Sequence, residues 1–454
     1  METMDFTVCL RVTIARTGAN LNEVCKAAKE TIQKELPARM VEAIVHGMQE
    51  EVLRVMTGPG EEERKQAWGS HEKRGTPGIE CESARFERRG YRPSPREVKT
   101  DLGTIRYRVA YVRCLECGTW VQALRQVLEI EKWERHSGSL ERMVMEAVRE
   151  TSYGRGEREV EARGGPPVPR SSAHRWVGAR VLPERTAKGA ISGMADGTAF
   201  KKWPGKKGEL RVVLGLGKSN EVIPLGCYAG ETWEEIGKQV AKKLKREEVQ
   251  LELFAMDGEL GLDEHLGTVL GRVSQRCTWH APRQMVYALW RDKLKHEDRG
   301  PFFRELKSLI GIEIPAGSWE AIAPEDKQEI ERKVAENKAQ VREMIDLFRK
   351  KGYQHAAVYL ERSLDRLYSN IELWLKTGII APRTTSILEN IFRELGRRIK
   401  KLGYNWSDKG AAQMSRIVLL QHFDAQTWST YWQQSLNLRS RCTITIEAIQ
   451  QLAA

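Results

Sequence analysis

The sequence predicts an α/β protein in which a mixed sheet is interrupted by an all-helical segment. Between about residues 190 and 291, apolar runs indicate three strands, a helix and a fourth strand, with a fifth strand and a helix to follow. Residues 292–382 then show helical patterns and almost no strand pattern. Because 454 residues exceed one ordinary core, we expect about two to four domains.

The composition favours a protein that binds a polyanion. The hydrophobic fraction of 41% and the charged fraction of 30% are typical of globular proteins, and the net charge is 74 − 62 = +12. A basic surplus favours phosphate contacts, although a merely basic surface gives the same total. The acidic N-terminus does not resemble a signal peptide, no apolar run is long enough to span a membrane, and the eight scattered cysteines are typical of reduced cytosolic thiols. We therefore expect a cytoplasmic protein with no membrane partner.

The first 75 residues are predicted as an N-terminal strand followed by helices. Alternating apolar and polar residues over 6–14 indicate the strand, and residues 22–56 have the pattern of two helices broken near Pro37. Gly58-Pro59-Gly60 and the charged run that follows indicate a linker.

Residues 76–135 are predicted as a small β module that resembles a zinc ribbon. Residues 98–109 indicate a hairpin that turns at Asp101 to Gly103. Cys114 and Cys117 form a CxxC pair followed by glycine, a common zinc knuckle. A full ribbon needs a second pair, whereas only Cys81 stands upstream, with His71 as a distant candidate. The sequence therefore predicts a degenerate or three-ligand site, and it favours the alternative of a β module that has lost its zinc.

Residues 136–185 are predicted as three short helices that form a helix-turn-helix. Ser139-Leu140-Glu141-Arg142 has the composition of a helix start, and 171–177 would be the last helix after a glycine- and proline-rich turn. Its exposed face would present His174 and Arg175 to DNA. Such sequences are also common in proteins that bind no DNA, and the basic charge of the chain favours the DNA-binding interpretation.

Residues 186–291 are predicted as the first part of a sheet domain that resumes at 383–454 after the helical insertion at 292–382. The expected elements are strands at 191–200, 210–216, 222–228, 249–256 and 272–277, and helices at 233–244 and from 281 onward. This order matches the mixed sheet of an RNase H-like domain.

Three acidic residues in this domain suit one divalent-metal site. Asp196 lies on the first strand, Asp257 ends the fourth, and Glu389 opens a late helix. Taken singly, Asp196-Gly197 and Asp257-Gly258 are good turn dipeptides, and Ser386-x-x-Glu389 matches a capping box. Taken together, strands one and four are neighbours in this order, so both aspartates would meet at one sheet edge and the glutamate could point across it. Oxygen ligands and a phosphate substrate favour two Mg²⁺ ions, with Mn²⁺ as a substitute.

Further residues surround the predicted site. Arg393, Arg397 and Lys400 follow Glu389 at nearly helical spacing and indicate a cationic face that phosphates or solvent could cover. Cys277 and His280 form a CxxH pair, more often structural than zinc-binding when no partner pair is near. Trp233 is either core or a stacking platform, and core is favoured. The rival third ligand, Glu394, lies about 140° from Glu389 around the helix, so both cannot face the same metals.

These residues together resemble the Mutator-like DDE transposases of bacterial and archaeal insertion sequences. The resemblance covers about residues 190–425 and includes a CxxH motif after the second aspartate and a glutamate after a helical insertion. The spacings are 257 − 196 = 61 and 389 − 257 = 132 residues. The residues that carry it are Asp196-Gly197, Trp233, Asp257-Gly258, Gln275-Arg276-Cys277, His280, Arg283, Thr385, Glu389, Arg393 and Arg397-Arg398.

The resemblance implies an RNase H-like catalytic domain with Asp196, Asp257 and Glu389 as metal ligands and Cys277 and His280 as motif residues. It also implies DNA contacts from Arg393, Arg397, Arg398 and Lys400. The expected substrate is double-stranded DNA, namely terminal inverted repeats and a target, held by a homodimer or larger assembly at the nucleoid. The alternatives are an inactive relative that only binds DNA, and a nuclease that cuts without joining.

Overall fold

The structure is a computed structural model that describes residues 25–26, 31, 35–67, 70–73, 76–124, 134–259, 261–402 and 405–438. The chain separates into two compact units. The first contains the described residues up to Val177 and those from Trp432 onward, and the second is Gly178–Tyr431. The strand predicted at 6–14 lies outside the described residues. None of the helices in the described ranges is long and apolar enough to cross a membrane.

The first unit combines helices with short antiparallel strands. Its helices are α1 (Leu36–Thr57), α2 (Glu61–Ala67), α3 (Gly138–Glu150), α4 (Tyr153–Ala162) and α5 (Arg170–Ala179), the last of which runs across the unit boundary. Its strands are β1 (His71–Glu72), β2 (Glu80–Cys81), β3 (Phe86–Tyr91), β4 (Arg96–Thr100), β5 (Gly103–Tyr107), β6 (Ala110–Cys114) and β7 (Trp120–Gln122).

The structure confirms the hairpin predicted in this unit and corrects three local details. The charged run after Gly60, predicted as a linker, forms helix α2. Strands β4 and β5 pair antiparallel with Thr100 opposite Gly103, which confirms the predicted hairpin. Helix α1 has Pro37 in its first turn, where a proline needs no backbone N–H partner, so this proline opens the helix. Ser137, and not Ser139, is the N-cap of α3, and its side chain accepts a hydrogen bond from the Leu140 backbone N–H.

The second unit is built on a five-stranded mixed sheet in the order β10-β9-β8-β11-β12. Strand β8 pairs antiparallel with β9 and parallel with β11, and β11 also pairs parallel with β12. The strands are β8 (Ser192–Lys202), β9 (Lys206–Leu216), β10 (Val222–Ala229), β11 (Leu251–Met256) and β12 (Gly271–Arg276). All five predicted strands are therefore present in the mixed α/β architecture that the sequence predicts.

Helices cover the sheet and form the insertion. They are α6 (Trp233–Arg246), α7 (His280–Arg291), α8 (His296–Leu309), α9 (Pro324–Lys350), α10 (Gln354–Ser363), α11 (Ser369–Thr377), α12 (Ser386–Ile399), α13 (Asp408–Phe423) and α14 (Ala425–Ser435), the last of which runs into the first unit. One core packs α6 on the sheet, and a second joins α7 to the insertion helices. Residues 293–382, all within the described part of the chain, contain no strand. The helical stretch predicted at 356–375 is divided between α10 and α11 by a tight turn at Leu364–Arg366.

Candidate functional site

The sheet register brings three predicted residues into one row at the edge of the sheet. Ala195 of β8 lies opposite Met256 of β11, and Met256 lies opposite Arg276 of β12. The next residues are Asp196 within β8, Asp257 directly after β11 and Cys277 directly after β12, so the three positions are in register at the carboxyl end of the parallel strands. The two aspartates that lie 61 positions apart in sequence are adjacent in space.

Asp196 is the most perturbed acid in this row. Burial raises its pKa, and the charges of Asp257 and Glu259 add to the effect, so that the pKa reaches about 7 from an ordinary 3.8. The hydrogen bond that Asp196 accepts from the Gly197 backbone N–H, 2.7 Å long, opposes the shift only partly. A buried carboxylate beside another carboxylate is unfavourable unless positive charge is supplied, so the row has the electrostatics of a cation site.

Helix α12 is fixed to the same face of the sheet at both ends. At its start, the Thr385 backbone N–H and hydroxyl approach Cys277 Sγ, at 3.4 and 3.6 Å. At its end, Lys400 Nζ donates a hydrogen bond of 2.6 Å to Thr198 Oγ1, and Thr198 lies two residues beyond Asp196 on β8. The helix therefore passes across the aspartate row from β12 to β8.

Glu389 lies one turn after Thr385 on this helix, so it is on nearly the same helical face and close to the β12 end of the crossing. Its side chain is exposed. The N-cap position is Thr385, with Ser386 inside the helix and no side-chain cap bond, so Glu389 does not close the capping box that its sequence suggests. Glu394 instead pairs with Arg397 at 3.2 Å. The carboxylate of Glu389 is not part of this ion pair.

Cys277 and His280 interact with each other beside the aspartates. Burial opposes ionisation of the Cys277 thiol, but hydrogen bonds from His280 and Thr385 outweigh it and lower the thiol pKa. Burial likewise opposes the charge of His280, and Cys277 together with Asp257 and Asp196 raises the imidazole pKa. The pair therefore links β12 and α7 to the start of α12, as a structural motif would.

A second acidic group, which the sequence interpretation missed, adjoins the aspartates. Burial raises the pKa of Glu259, and Glu209 and Asp257 act in the same direction. Arg211 Nη2 lies 2.7 Å from Glu209 Oε2 and 3.9 Å from Glu259 Oε1, and its guanidinium lies 4.7 Å from the Trp233 ring centroid. Trp233 is buried, as expected for core, and at the same time it supports this arginine. Glu259 follows Asp257 by two residues, which is the one sequence signal that could have identified it.

The loop that carries Asp257 is supported by the helical insertion. Gly258 has φ +85°, and a Cβ at this position would overlap Nη1 of Arg276. Arg276 is 3% exposed, and its Nη2 donates a hydrogen bond of 3.2 Å to the hydroxyl of Tyr359 on α10. The Tyr359 hydroxyl in turn donates to the Ala281 carbonyl at 3.1 Å. A buried cation therefore lies directly beneath the turn after Asp257 and is held there by the insertion.

The predicted DNA-contacting cations do not all reach the surface. Arg393, Arg397 and Lys400 on α12 are exposed. Arg398 is 2% exposed, and its guanidinium lies 4.8 Å from the centroid of the Trp406 ring. Arg398 is therefore packed inside the protein and is not a surface contact. Three other predicted residues, in both units, are exposed: Arg283, His174 and Arg175.

A separate cluster in the first unit has the donor set of a zinc site. The ligand atoms of His71, Cys81, Cys114 and Cys117 all lie within 4.8 Å of one another. His71 Nε2 is 3.2 Å from Cys117 Sγ, and the sulfurs of Cys81 and Cys114 are 4.0 Å apart. Tetrahedral zinc with bonds of about 2.3 Å separates thiolates by roughly 3.8 Å, so these atoms need little movement. The structure thus supplies as fourth donor the histidine that the sequence leaves distant.

Burial opposes ionisation of Cys117, yet hydrogen bonds with Thr119 and His71 outweigh it and lower the thiol pKa to about 6. Burial has the opposite net result at Cys81, where it raises the thiol pKa. One thiolate is therefore available near neutral pH, and a bound cation would favour ionisation of the others.

Comparison with protein-family models and with curated proteins gives no match to this chain.

Proposed function

We propose that the protein is a metal-dependent enzyme that cuts and joins DNA, as in the DDE transposases that its motifs resemble. The observation that carries the proposal is the row of Asp196 and Asp257, with Glu389 on the helix that crosses it. The strand order supports an RNase H-like domain, because an RNase H-like sheet has the same order of three antiparallel strands followed by two parallel strands around the aspartates. The +12 charge and the exposed cations of α12 favour DNA as substrate.

Asp196, Asp257 and Glu389 would hold divalent cations, for which Mg²⁺ fits the all-oxygen donor set and Mn²⁺ can substitute. When bound, such cations polarise a phosphodiester and lower the pKa of water or a 3′-hydroxyl. Other residues of the chain hold these ligands in position and contact the DNA. Arg276 and Gly258 fix the turn after Asp257, Cys277 and Thr385 anchor the helix that carries Glu389, and Arg393 and Arg397 offer charge to the DNA backbone.

The test is Mg²⁺-dependent nicking of a duplex that contains the ends of the element. Asp196→Asn, Asp257→Asn and Glu389→Gln should each lower nicking by at least 100-fold while duplex binding stays within about threefold. Glu394→Gln is the matched control on the same helix and should retain nicking. Equal activity of the Glu389 and Glu394 variants would contradict the assignment of the third ligand.

The same assay distinguishes the two alternatives. Strand-transfer products are expected on a gel when target DNA is added, whereas a nuclease without a joining step gives nicked products alone. An inactive DNA-binding relative binds the ends and gives neither product. A transposase must hold two ends together, so we expect a homodimer or larger assembly on end-containing DNA.

We propose as a second function that His71, Cys81, Cys114 and Cys117 bind one structural zinc ion. The closed Cys₃His donor set carries this proposal, because four protein ligands leave no open position for chemistry. The purified protein should contain one zinc per chain by elemental analysis. Cys117→Ser should abolish that content, and Cys25→Ser, a change at an exposed cysteine, should leave it unchanged. Full zinc content in Cys117→Ser would contradict the proposed ligand set.

A further inference from the structure

Helix α7 exposes a stripe of aromatic residues next to the candidate active site. Trp279, immediately before the helix, is 42% exposed, Tyr287 is 57% exposed and Trp290 is 55% exposed. Arg283 is exposed between them. The spacings of four, four and three residues place all four on one face of the helix. We name Trp279, Arg283, Tyr287 and Trp290 the α7 stripe.

The opposite face of α7 already fulfils the structural role of the helix. Ala281, Met285, Ala288 and Leu289 are buried in the core that α7 shares with the insertion. Packing therefore does not require large rings on the outer face. Three large aromatic side chains are nevertheless exposed along one side of this short helix, and clustered exposed aromatic residues usually mark a binding site.

The rings of the α7 stripe are ordered by contacts with one another. The Arg283 guanidinium lies 3.3 Å from the centroid of the Trp279 ring. The Tyr287 and Trp290 rings are stacked, with centroids 5.3 Å apart and planes inclined by 28°. The contact of Arg283 with Trp279 and the stacking of Tyr287 on Trp290 hold these rings in fixed orientations. Binding a planar ligand to them therefore costs less side-chain entropy.

The α7 stripe begins beside the acidic row. The Cys277 backbone N–H donates a hydrogen bond of 2.8 Å to the carbonyl of Met256, the residue before Asp257, and Trp279 follows Cys277 by two residues. Eleven residues separate Trp279 from Trp290, so the stripe leads about 16 Å away from the row at 1.5 Å per residue. At the spacing of about 3.4 Å per nucleotide along one DNA strand, this distance accommodates a few nucleotides.

We propose that the α7 stripe binds unpaired bases of a DNA strand next to the point of cleavage. This inference rests on the proposed function, which places the point of cleavage at the aspartate row. It adds that the ligand of the α7 stripe is an unpaired DNA strand. Bases stack on aromatic faces whatever their sequence, and the arginine and the basic chain suit the phosphates between them. An apolar protein partner would not need the interleaved arginine, so the combination favours nucleic acid.

The test measures binding of fluorescein-labelled oligothymidylate to the full-length protein in buffer without added Mg²⁺ or Mn²⁺, so that no cleavage occurs and the proposed zinc site keeps its ion. Tyr287→Ala and Trp290→Ala should each weaken binding by about 10-fold, the size expected for the loss of one stacked base. Tyr287→Phe should bind within twofold of the wild type, because stacking needs the ring and not the hydroxyl. Ile380→Ala is the control for loss of an exposed apolar side chain in the same unit and should have no effect.

Circular dichroism melts of each variant would show that the fold is retained, as expected for exposed side chains. Wild-type affinity in both alanine variants would overturn the inference. Loss of a dimer in Tyr287→Ala, with unchanged affinity for oligothymidylate, would also overturn it and assign the stripe to self-association.

Asp196→Asn separates the two proposals, because it should abolish nicking and leave oligothymidylate binding intact. If nicking survives in Asp196→Asn while Tyr287→Ala still loses binding, the proposed chemistry fails and the stripe remains a nucleic-acid site. If nicking is lost in Asp196→Asn while both alanine variants bind normally, only the stripe fails.

Discussion

The pKa of Asp196 reflects the unfavourable placement of two carboxylates side by side. Burial and the charge of Asp257 raise its pKa from 3.8 to about 7. Between these two values the unfolded chain has released a proton that the folded protein still holds. The contribution of this group to stability is therefore full below pH 3.8 and is lost as the pH rises through 7, at about 1.4 kcal/mol per pKa unit.

Asp196→Asn should therefore stabilise the Mg²⁺-free protein at high pH only. At pH 8 without added Mg²⁺ or Mn²⁺ we expect a higher melting temperature than for the wild type, with a gain of a few kcal/mol as an upper bound. At pH 4 the two proteins should melt alike, because both side chains are then neutral. Added Mg²⁺ should raise the melting temperature of the wild type more than that of the variant. A pH-independent difference, or the same profile in the exposed-site control Asp365→Asn, would contradict this account.

Gly258 is constrained by its backbone and by its neighbour. Alanine would be strained at φ +85° and its Cβ would overlap the Arg276 guanidinium. Gly352 has a similar φ of +79° with nothing within 4 Å, so it isolates the backbone effect. We expect Gly352→Ala to cost about 1 kcal/mol and Gly258→Ala to cost about 2–4 kcal/mol, measured by urea denaturation. Equal costs would show that Arg276 moves aside freely.

At the scale of elements, the sequence predicts regular structure well because local patterns determine it. Residues 210–216 are apolar except for Arg211, and they lie within β9 as expected. The predicted hairpin forms because a short turn fixes the register of β4 and β5. The adjacency of Asp196 and Asp257 also follows from sequence, since strand order determines which strand ends meet.

The same local patterns do not identify partners that the tertiary fold supplies. His71 joins Cys117 across 46 positions, and Tyr359 reaches Arg276 across 83. No periodicity relates these residues, so the sequence offers His71 only as a distant candidate and gives no sign of the contact between Tyr359 and Arg276. Arg398 has the same local composition as Arg397, yet packing against Trp406 turns only Arg398 inward. Burial of a cation depends on the neighbouring element and not on its own helix.

Helix α10 therefore has a role beyond filling the insertion. Tyr359→Phe removes the hydroxyl that accepts from Arg276 and donates to the Ala281 carbonyl. Because the buried guanidinium loses a partner, we expect a loss of about 1–3 kcal/mol in unfolding free energy and a loss of nicking, with duplex binding unchanged. Tyr353→Phe, a change at the half-buried tyrosine before α10, is the control. If nicking is preserved in Tyr359→Phe, the insertion does not position the Asp257 turn.

At the scale of the whole molecule, the two candidate metal sites belong to different compact units. The aspartate row lies in the unit Gly178–Tyr431, and the Cys₃His cluster lies in the unit that begins the chain. The first site has oxygen donors and an exposed glutamate, whereas the second has soft donors that are mostly buried. Hard and soft donor sets select different metals, so the two proposed sites would take different ions.

Removal of zinc should therefore loosen one unit and spare the other. The β module around the cluster consists of strands of two to six residues, which provide little stability without a metal. After treatment of the full-length protein with a zinc-selective chelator, trypsin should cleave rapidly within residues 70–124 and leave a resistant fragment close to residues 178–431. Cys117→Ser should give this pattern without chelator, and Cys25→Ser should not. Equal resistance of both units after chelation would show that the hydrophobic contacts of the module are sufficient without zinc.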